Sequence, residues 1–163
     1  MLKAEDVAPC AGLDAADIEC GLPIQTVSTG VPFAIVPVKS VEALGKLALD
    51  WKKASAHLAR TDAKLLYFIT PTVSEGGVPS MRARMILYNG EDPGTGSAAG
   101  CCAAWMVRHG VAQPEQTVVI EQGVEMKRRS LLKVRAGKST EGAAIVNVRG
   151  GNVVEVLQGE VRL

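Results

Sequence analysis

The sequence predicts an α+β fold, in which a mixed, mainly antiparallel sheet wraps around one or two helices. After residue 109 the chain consists of one short β-rich run after another, and strands do not alternate regularly with helices as they do in α/β proteins. Apolar residues make up 47% of the 163 residues, which is enough for a hydrophobic core. Because only 4% of the residues are aromatic, we expect that core to consist of Val, Leu, Ile and Ala.

Local periodicity and composition predict the individual elements. Short runs rich in β-branched residues indicate strands, and apolar residues three or four positions apart indicate helices. The predicted strands are 23–28, 33–38, 64–70, 81–87, 117–121, 131–134, 144–148, 153–157 and 160–163, with a Gly/Pro/Ser-rich loop at 71–80. Residues 41–59 predict one long or two short helices capped by Ser40, and 97–109 predict a helix ended by Gly110.

The N-terminal region has no clear period. Residues 1–22 are rich in Ala and Asp and are predicted to be a linker or N-terminal extension, with one short helix at 14–20. Residues 23–163 are predicted to form a single domain. Trp51 lies on the apolar stripe of its helix and is expected in the core, whereas His57 lies off that stripe and is expected at the surface.

Composition and charge argue against several classes of protein. The net charge is +1, and the one basic cluster, residues 127–129, is interpreted as a solvated turn, so no nucleic-acid partner is expected. No apolar run approaches the roughly 18 residues that a membrane span requires. The N-terminus carries Glu5 and Asp6 and lacks the basic start and apolar block of a signal peptide. We therefore expect a cytoplasmic protein with reduced thiols.

The cysteines and histidines do not form a metal-binding pattern. The first two cysteines are far in sequence from Cys101 and Cys102, and no Cys-X-X-Cys pair occurs. Adjacent cysteines on one helix cannot both face one tetrahedral ion without strain, and His57 and His109 are the only histidines. The sequence therefore predicts no metal site.

Residues 91–100, Glu-Asp-Pro-Gly-Thr-Gly-Ser-Ala-Ala-Gly, are the segment best suited to chemistry. Gly94 and Gly96 allow positive φ and a close approach to a ligand. The helix that follows offers its unpaired N–H groups and the positive end of its dipole to a carboxylate or phosphate. Asp92, two residues before the first of these glycines, is placed to act as an acid or base on the same ligand.

An ordinary helix cap explains the same residues about equally well: Thr95 or Ser97 would cap the helix and Asp92 would satisfy its dipole. The helix is apolar all round, which predicts burial and an N-terminus that opens inside the protein, and this favours a binding site. A P-loop is excluded because its Lys-Ser/Thr pair is missing, and a dinucleotide-binding loop because the glycine order and the βαβ unit are wrong. Cys101 as a nucleophile is conceivable, but small apolar packing is the preferred interpretation.

Several motifs together resemble the phenazine-biosynthesis isomerase-like family, which is related to diaminopimelate epimerase. Residues 92–100 resemble the family's Asp-Pro-Ala-Thr-Gly-Ser-Ala signature, and residues 28–33 resemble its Ser-Thr-Gly-X-Pro turn. The order and approximate spacing of the motifs agree from residue 23 to residue 163. The further matches are Arg84-Met85, Gln122-Gly123 with Arg128 and Ser130, and the strand-Gly-strand-Gly pattern of 148–160.

The resemblance implies a curved, mainly antiparallel sheet or barrel around a central helix. It covers only the second of the two similar halves between which family members form their active site. It also implies proton transfer next to a carboxylate or ring, without a cofactor, in which Asp92 would be one acid/base group. The general-base glutamate and a substrate-binding Gly-His pair of the other half would be absent. The residues implied to contact the substrate are Gly96, Ser97, Thr95, Thr29 and Gly30.

The chain departs from the family pattern at three places: Gly94 stands for Ala, Arg129 stands for Pro, and the spacing from Arg84 to Asp92 is shorter. With one acid/base group, the site would need a second copy across a two-fold axis or a separate N-terminal half as partner, or it would be inactive. A homodimer is expected because the face towards the missing half should be apolar. The alternatives are a non-catalytic module that binds small carboxylates or mediates dimerisation, and a purely structural domain.

Overall fold

A computed structural model describes residues 2–73, 79–138, 144–150, 155 and 157–160. The helices are α1 (Ala4–Ala11), α2 (Val41–Gly45), α3 (Trp51–Leu58) and α4 (Gly96–Arg108), with a short 3-10 helix at Ala15–Asp17. The strands are β1 (Gln25–Ser28), β2 (Pro32–Pro37), β3 (Leu65–Val73), β4 (Pro79–Leu87), β5 (Gly90–Asp92), β6 (Val118–Gln122), β7 (Ser130–Lys138) and β8 (Ala144–Arg149).

The strands form one mixed sheet in the order β1-β2-β3-β4-β6-β7-β8, with β5 paired to β4. The pairs β2–β3 and β4–β6 are parallel, and the other pairs are antiparallel. Helix α4 contacts β1 and β2 at one end of this order and β7 and β8 at the other. The sheet is therefore curled into a half-barrel around α4, and the predicted α+β class is confirmed.

Both faces of β2 and β3 are covered, and each face has its own core. Phe33 and Ile35 of β2 point inward to the core around α4, while Ala34 and Val36 point outward to a second core beneath α1, α2 and α3. This alternation explains why strand 33–38 is apolar at every position, as strands buried on both faces are. Trp105 of α4 is the largest side chain that is fully buried.

The N-terminal region is more structured than the sequence indicated. Residues 2–21 were expected to be a linker or extension, but they contain α1, and Leu2, Val7 and Ile18 are buried in the second core. The predicted helix at 14–20 is only a three-residue 3-10 turn, Ala15–Asp17. Pro9 lies inside α1, and a proline within a helical pattern normally argues against a helix there. This proline, together with the lack of a clear apolar period, explains why the sequence does not predict α1.

The other elements agree with expectation apart from local differences. The region 41–59 forms two short helices, with Ser40 and Asp50 capping α2 and α3 through their side chains. Trp51 was expected in the core but is only half-buried, with its ring 6.2 Å from that of Tyr88. His57 is half-buried rather than fully at the surface.

Three predicted segments fall partly or mainly beyond the residues that are described. The loop expected at 71–80 is shorter than predicted, because β3 continues to Val73 and β4 begins at Pro79. The strands expected at 153–157 and 160–163 lie mostly outside the described residues. Within the described residues, no helix has the length and apolar character needed to cross a bilayer.

Candidate functional site

The segment that the sequence singled out connects β5 to α4. Strand β5 ends at Asp92, which pairs with Met85 of β4, and α4 begins four residues later at Gly96. The neighbouring Glu91 points to the other side of the strand, as alternation requires, and pairs with Arg84 of β4. The backbone that leads to Asp92 is thus fixed on one side by strand pairing and on the other by an ion pair.

The carboxylate of Asp92 is held by the turn that follows it. The backbone N–H of Gly94 donates to Oδ1 of Asp92 over 3.2 Å, and the hydroxyl of Thr95 donates to Oδ2 over 2.7 Å. Both bonds are local, and an Asp side chain commonly folds back on its own turn in this way. The side chain is only half-buried, so it remains accessible from solvent.

Thr95 occupies the N-cap position of α4, but its side chain makes no capping hydrogen bond. Its hydroxyl is engaged with Asp92 and Gln122 instead. The first amide N–H groups of a helix have no acceptor within the helix, so a capping side chain normally takes one of them. The simple cap interpretation with Thr95 therefore does not describe this turn.

The N-terminus of α4 opens to solvent and not into the interior. Gly96 and Ser97 are exposed, although the helix is buried from Ala98 to Ala103 and again at Trp105 and Met106. The expectation of a buried N-terminus was wrong, because the small residues of the first turn extend beyond the half-barrel that covers the rest of the helix. The first turn consequently faces the side from which a ligand or another domain can approach.

A residue that sequence reasoning did not assign to the site, Gln122, lies directly behind the turn. Its side chain is completely buried at the end of β6. Its Oε1 accepts from the Thr95 backbone N–H (3.2 Å) and the Tyr67 hydroxyl (2.9 Å). Its Nε2 donates to the Asp92 carbonyl (2.7 Å) and to Oγ1 of Thr95 (2.9 Å). The available signal is its place in the Gln-Gly motif, which by itself indicates the family and not a contact with this turn.

The next residue, Gly123, allows the turn to approach β6 closely. Its φ is +79°, and a Cβ there would lie 2.9 Å from the backbone of Pro93 and 2.3 Å from the carbonyl oxygen of Arg128. A side chain at this position would collide with backbone atoms on two sides. Gly94, where the resembled family has Ala, is less restricted: a Cβ would come 3.2 Å from Oγ of Ser130.

The turn between β1 and β2 lies on the other side of the first turn of α4. The hydroxyl of Thr29 donates to the carbonyl of Ser97 over 3.4 Å and lies 3.5 Å from the Cys101 sulfur. Gly30 follows with φ +134°, and its N–H donates to Oγ of Ser28. Five of the predicted site residues, Asp92, Thr95, Gly96, Ser97 and Thr29, therefore lie around the start of α4, and Gly30 is exposed at their edge.

The two adjacent cysteines are core residues. Cys101 and Cys102 are fully buried, and burial raises the pKa of the Cys102 thiol far above its usual value. This makes Cys102 a poor nucleophile, and the complete burial of both side chains agrees with the packing interpretation. Among the residues that the structure describes, no group of three or more Cys, His, Asp or Glu side chains is placed to hold a metal ion.

The basic cluster at 127–129 forms the expected surface turn. Arg128 and Arg129 are exposed, and Arg129 pairs with Glu121 of β6. Burial opposes ionisation of Glu121, but its hydrogen bonds and ion pairs with Arg129 and Arg82 outweigh this effect and lower its pKa. The cluster therefore takes part in ion pairing around β6.

Solved structures with the same fold include two bacterial proteins. A Bacillus anthracis phenazine biosynthesis protein superimposes with a TM-score of 0.75 at 23% identity, over 93% of this chain and 56% of its own. A predicted epimerase from Pseudomonas aeruginosa gives a TM-score of 0.66 at 31% identity, over 97% of this chain and 54% of its own. The similarity to the first of these establishes the fold.

Similar sequences agree with the structural matches. An uncharacterized isomerase from Mesorhizobium japonicum is 31% identical over 99% of this chain and 56% of its own length. The trans-2,3-dihydro-3-hydroxyanthranilate isomerase of Pseudomonas fluorescens is 44% identical over 39% of this chain and 23% of its own. The chain thus spans about half the length of the curated relatives that match most of it. The profile of the phenazine biosynthesis-like proteins matches residues 2–159, and the chain belongs to that family.

Proposed function

We propose that this chain provides one half of a cofactor-independent proton-transfer site of the isomerase or epimerase type, acting on a small metabolite that carries a carboxylate. The observation that carries the proposal is the pairing of the accessible Asp92 carboxylate with the exposed first turn of α4. The names of the relatives, which include isomerases and a predicted epimerase, support the same class of reaction.

In this proposal Asp92 is the acid/base group. A carboxylate that exchanges a proton with carbon must be held at a fixed angle to the reacting atom, because misplacement by about 1 Å can slow a reaction about a hundredfold. The bonds from Gly94 and Thr95 fix the orientation of the Asp92 carboxylate. They also leave the group half-exposed on the side from which the substrate would arrive.

The substrate carboxylate would bind at the first turn of α4. Its amide N–H groups and the positive end of the helix dipole favour an anion, and the Ser97 hydroxyl adds a further donor. At Gly96 no heavy atom lies within 4 Å of the point where a Cβ would stand, so a ligand can approach its backbone closely. The Thr29–Gly30 turn would form the neighbouring wall of the cleft, with Thr95 beneath the ligand.

A second acid/base group is needed to complete a proton shift. Among the described residues, Asp92 is the carboxylate that accepts hydrogen bonds from the turn before α4. The adjacent Glu91 is already paired with Arg84 on the other side of the strand. We infer that the second group comes from another copy of the chain or from a domain equivalent to the family's N-terminal half. The exposed Val31 and Val148 flank this end of α4 and provide apolar surface for such a contact.

The second candidate function is a module that binds small carboxylates, or mediates dimerisation, without catalysis. The exposed helix turn favours it as strongly as it favours an enzyme, since anion binding requires only that turn. The two functions differ in whether Asp92 is needed for more than binding.

Asp92→Asn separates these functions. Anthranilate, a stable aromatic carboxylate, should raise the melting temperature of both wild type and Asp92→Asn, because the helix turn is intact in both. An enzyme loses turnover of trans-2,3-dihydro-3-hydroxyanthranilate in the variant, whereas the binding module has no turnover to lose. If anthranilate leaves the melting temperature of wild type unchanged, neither the enzyme nor the carboxylate-binding module is supported, and the dimerisation module remains.

Sedimentation velocity tests the proposed association. A homodimer predicts a sedimentation coefficient that rises with protein concentration, and Val31→Asp should shift the equilibrium towards monomer because a charge at an apolar interface is unfavourable. Val41→Asp is the matched control, since Val41 is similarly exposed but lies at the start of α2 in the outer helical layer. A coefficient that does not change with concentration for a monomer-sized species would exclude the homodimer.

A further inference from the structure

We propose that Gln122 is a positioning residue, which fixes the orientation of the Asp92 carboxylate through the backbone of Asp92 and the hydroxyl of Thr95. The inference rests on the proposed function, since the orientation of Asp92 matters for catalysis only if that carboxylate transfers a proton. It is carried by four hydrogen bonds around the completely buried Gln122 side chain, which together determine where each proton of the network lies.

Two backbone groups determine which way the Gln122 amide points. The Thr95 N–H can only donate, so it must face Oε1, and the Asp92 carbonyl can only accept, so it must face Nε2. An inverted amide would place two donors together at 3.2 Å and two acceptors together at 2.7 Å. The orientation of the amide is therefore settled by partners whose own roles cannot change.

The remaining protons follow from this orientation. Nε2 donates to Oγ1 of Thr95, so the hydroxyl proton of Thr95 cannot point towards Nε2. It points instead to Oδ2 of Asp92, which lies 2.7 Å from Oγ1. Thr95 is thus a committed donor to Asp92. The amide of Gln122 holds Asp92 twice, once at its backbone carbonyl and once through this hydroxyl.

Tyr67 completes the network behind Gln122. Its ring is fully buried, and its hydroxyl donates to Oε1 of Gln122. Burial is the main cause that raises the pKa of Tyr67 well above its usual value. The neighbouring Cys102 and Asp92 raise this pKa further. The tyrosine therefore remains a proton donor throughout the working pH range, and every hydrogen-bonding position of the Gln122 amide is filled.

The location of the network indicates positioning and not only core packing. The turn that it holds carries two glycines, Gly94 and Gly96, both exposed, and such a turn has many conformations available. Gln122 and the adjacent Gly123 contact this turn at Asp92, Pro93 and Thr95. A loop with this composition needs an external support to present a carboxylate at one angle.

Three variants test the proposal, each studied by crystal structure and by turnover of trans-2,3-dihydro-3-hydroxyanthranilate. Gln122→Met removes the amide, Thr95→Val removes the hydroxyl with little change in shape, and Thr95→Ser retains it. Gln113→Met is the control, because Gln113 is exposed in the loop after α4. We expect Gln122→Met and Thr95→Val each to rotate the Asp92 carboxylate and to lower kcat at least about tenfold, with a much smaller change in KM. Gln113→Met should resemble wild type, and Thr95→Ser, which retains the hydroxyl, should keep the Asp92 orientation and lose less kcat than Thr95→Val.

The double variant Gln122→Met/Thr95→Val should lose less activity than the product of the two single effects, since both changes act on Asp92. Fully multiplicative effects, or an unchanged Asp92 carboxylate in the Gln122→Met crystal, would overturn the proposal. If Gln122→Met does not fold, identical Asp92 positions and kcat values in Thr95→Val and Thr95→Ser would overturn it equally. Absence of turnover in wild type would bear on the proposed function alone, which allows a separate half to be required, while the crystal structures would still decide whether Gln122 orients Asp92.

Discussion

Arg84 and Glu91 form a two-point ion pair on the side of the sheet opposite to the Asp92 carboxylate. Nε of Arg84 lies 3.0 Å from Oε1 of Glu91, and Nη2 lies 2.7 Å from Oε2. The two side chains are only 9% and 12% exposed. Arg84 also donates to the carbonyl of Leu44 at the end of α2. One guanidinium therefore connects the outer helical layer to the strand that carries the proposed acid/base residue.

Removal of Arg84 should be strongly destabilising. Arg84→Met leaves the buried carboxylate of Glu91 without its partner, and breaking such a pair costs about 3 kcal/mol of unfolding free energy. Lys53→Met is the control, because Lys53 pairs with Asp50 at a site where their side chains are 65% and 42% exposed, and it should change stability by less than about 1 kcal/mol. Urea denaturation measures both. Equal losses in the two variants would mean that the Arg84–Glu91 pair has no special role.

Gly123 should tolerate no side chain, and the effect should reach the site. Gly123→Ala places a Cβ against the backbone of Pro93 and Arg128, so the turn that holds Asp92 must move. Gly110→Ala is the matched control: its φ of +70° is similar to the +79° of Gly123, but no atom lies within 4 Å of its Cβ position. The control should lose only about 1 kcal/mol, from backbone strain alone. This account would be contradicted if Gly123→Ala were as stable as Gly110→Ala and bound anthranilate with the affinity of wild type.

His109 should make stability depend on pH. Burial lowers the pKa of His109 below its ordinary value of 6.5, and the nearby charge of Arg108 lowers it further. The unfolded chain therefore binds this proton more readily, so the contribution of His109 is fully present above pH 6.5 and is lost as pH falls through the lower pKa of the folded state.

Trp105 offers a direct observation of this titration, because its ring centroid lies 5.2 Å from that of His109. In a Trp51→Phe background the remaining tryptophan fluorescence should change with a midpoint below pH 6.5. The change should disappear in His109→Asn. Persistence of the same transition in that variant would show that another group is responsible.

The sequence was sufficient for the helix that carries the site. Apolar residues on all sides of 97–109 and the helix-ending Gly110 predicted α4 to within one residue at each end, since both signals are local. The same pattern gave the wrong environment for its first turn. The apolar pattern indicates which side chains are buried. Gly96 and Ser97 have small side chains that fit a buried or an exposed position, so the pattern does not show that they lie beyond the edge of the sheet.

The support behind the site was beyond the reach of sequence reasoning. Gln122 is 30 residues from Asp92 and 55 from Tyr67, and the pairing of β4 with β3, β5 and β6 brings them together. A buried glutamine in a strand carries no local signal of such partners. Motif resemblance marked Gln122 as part of the family pattern, but its physical role required the three-dimensional arrangement.

The central claim, that Asp92 transfers a proton, is tested most directly by isotope exchange. The full chain is incubated with trans-2,3-dihydro-3-hydroxyanthranilate in deuterated buffer, at protein concentrations that span any self-association, and deuterium bound to carbon is followed by mass spectrometry. Wild type should incorporate solvent deuterium, and Asp92→Asn, shown to be folded by circular dichroism, should do so at least about a hundredfold more slowly. Exchange at the wild-type rate in Asp92→Asn would contradict the account.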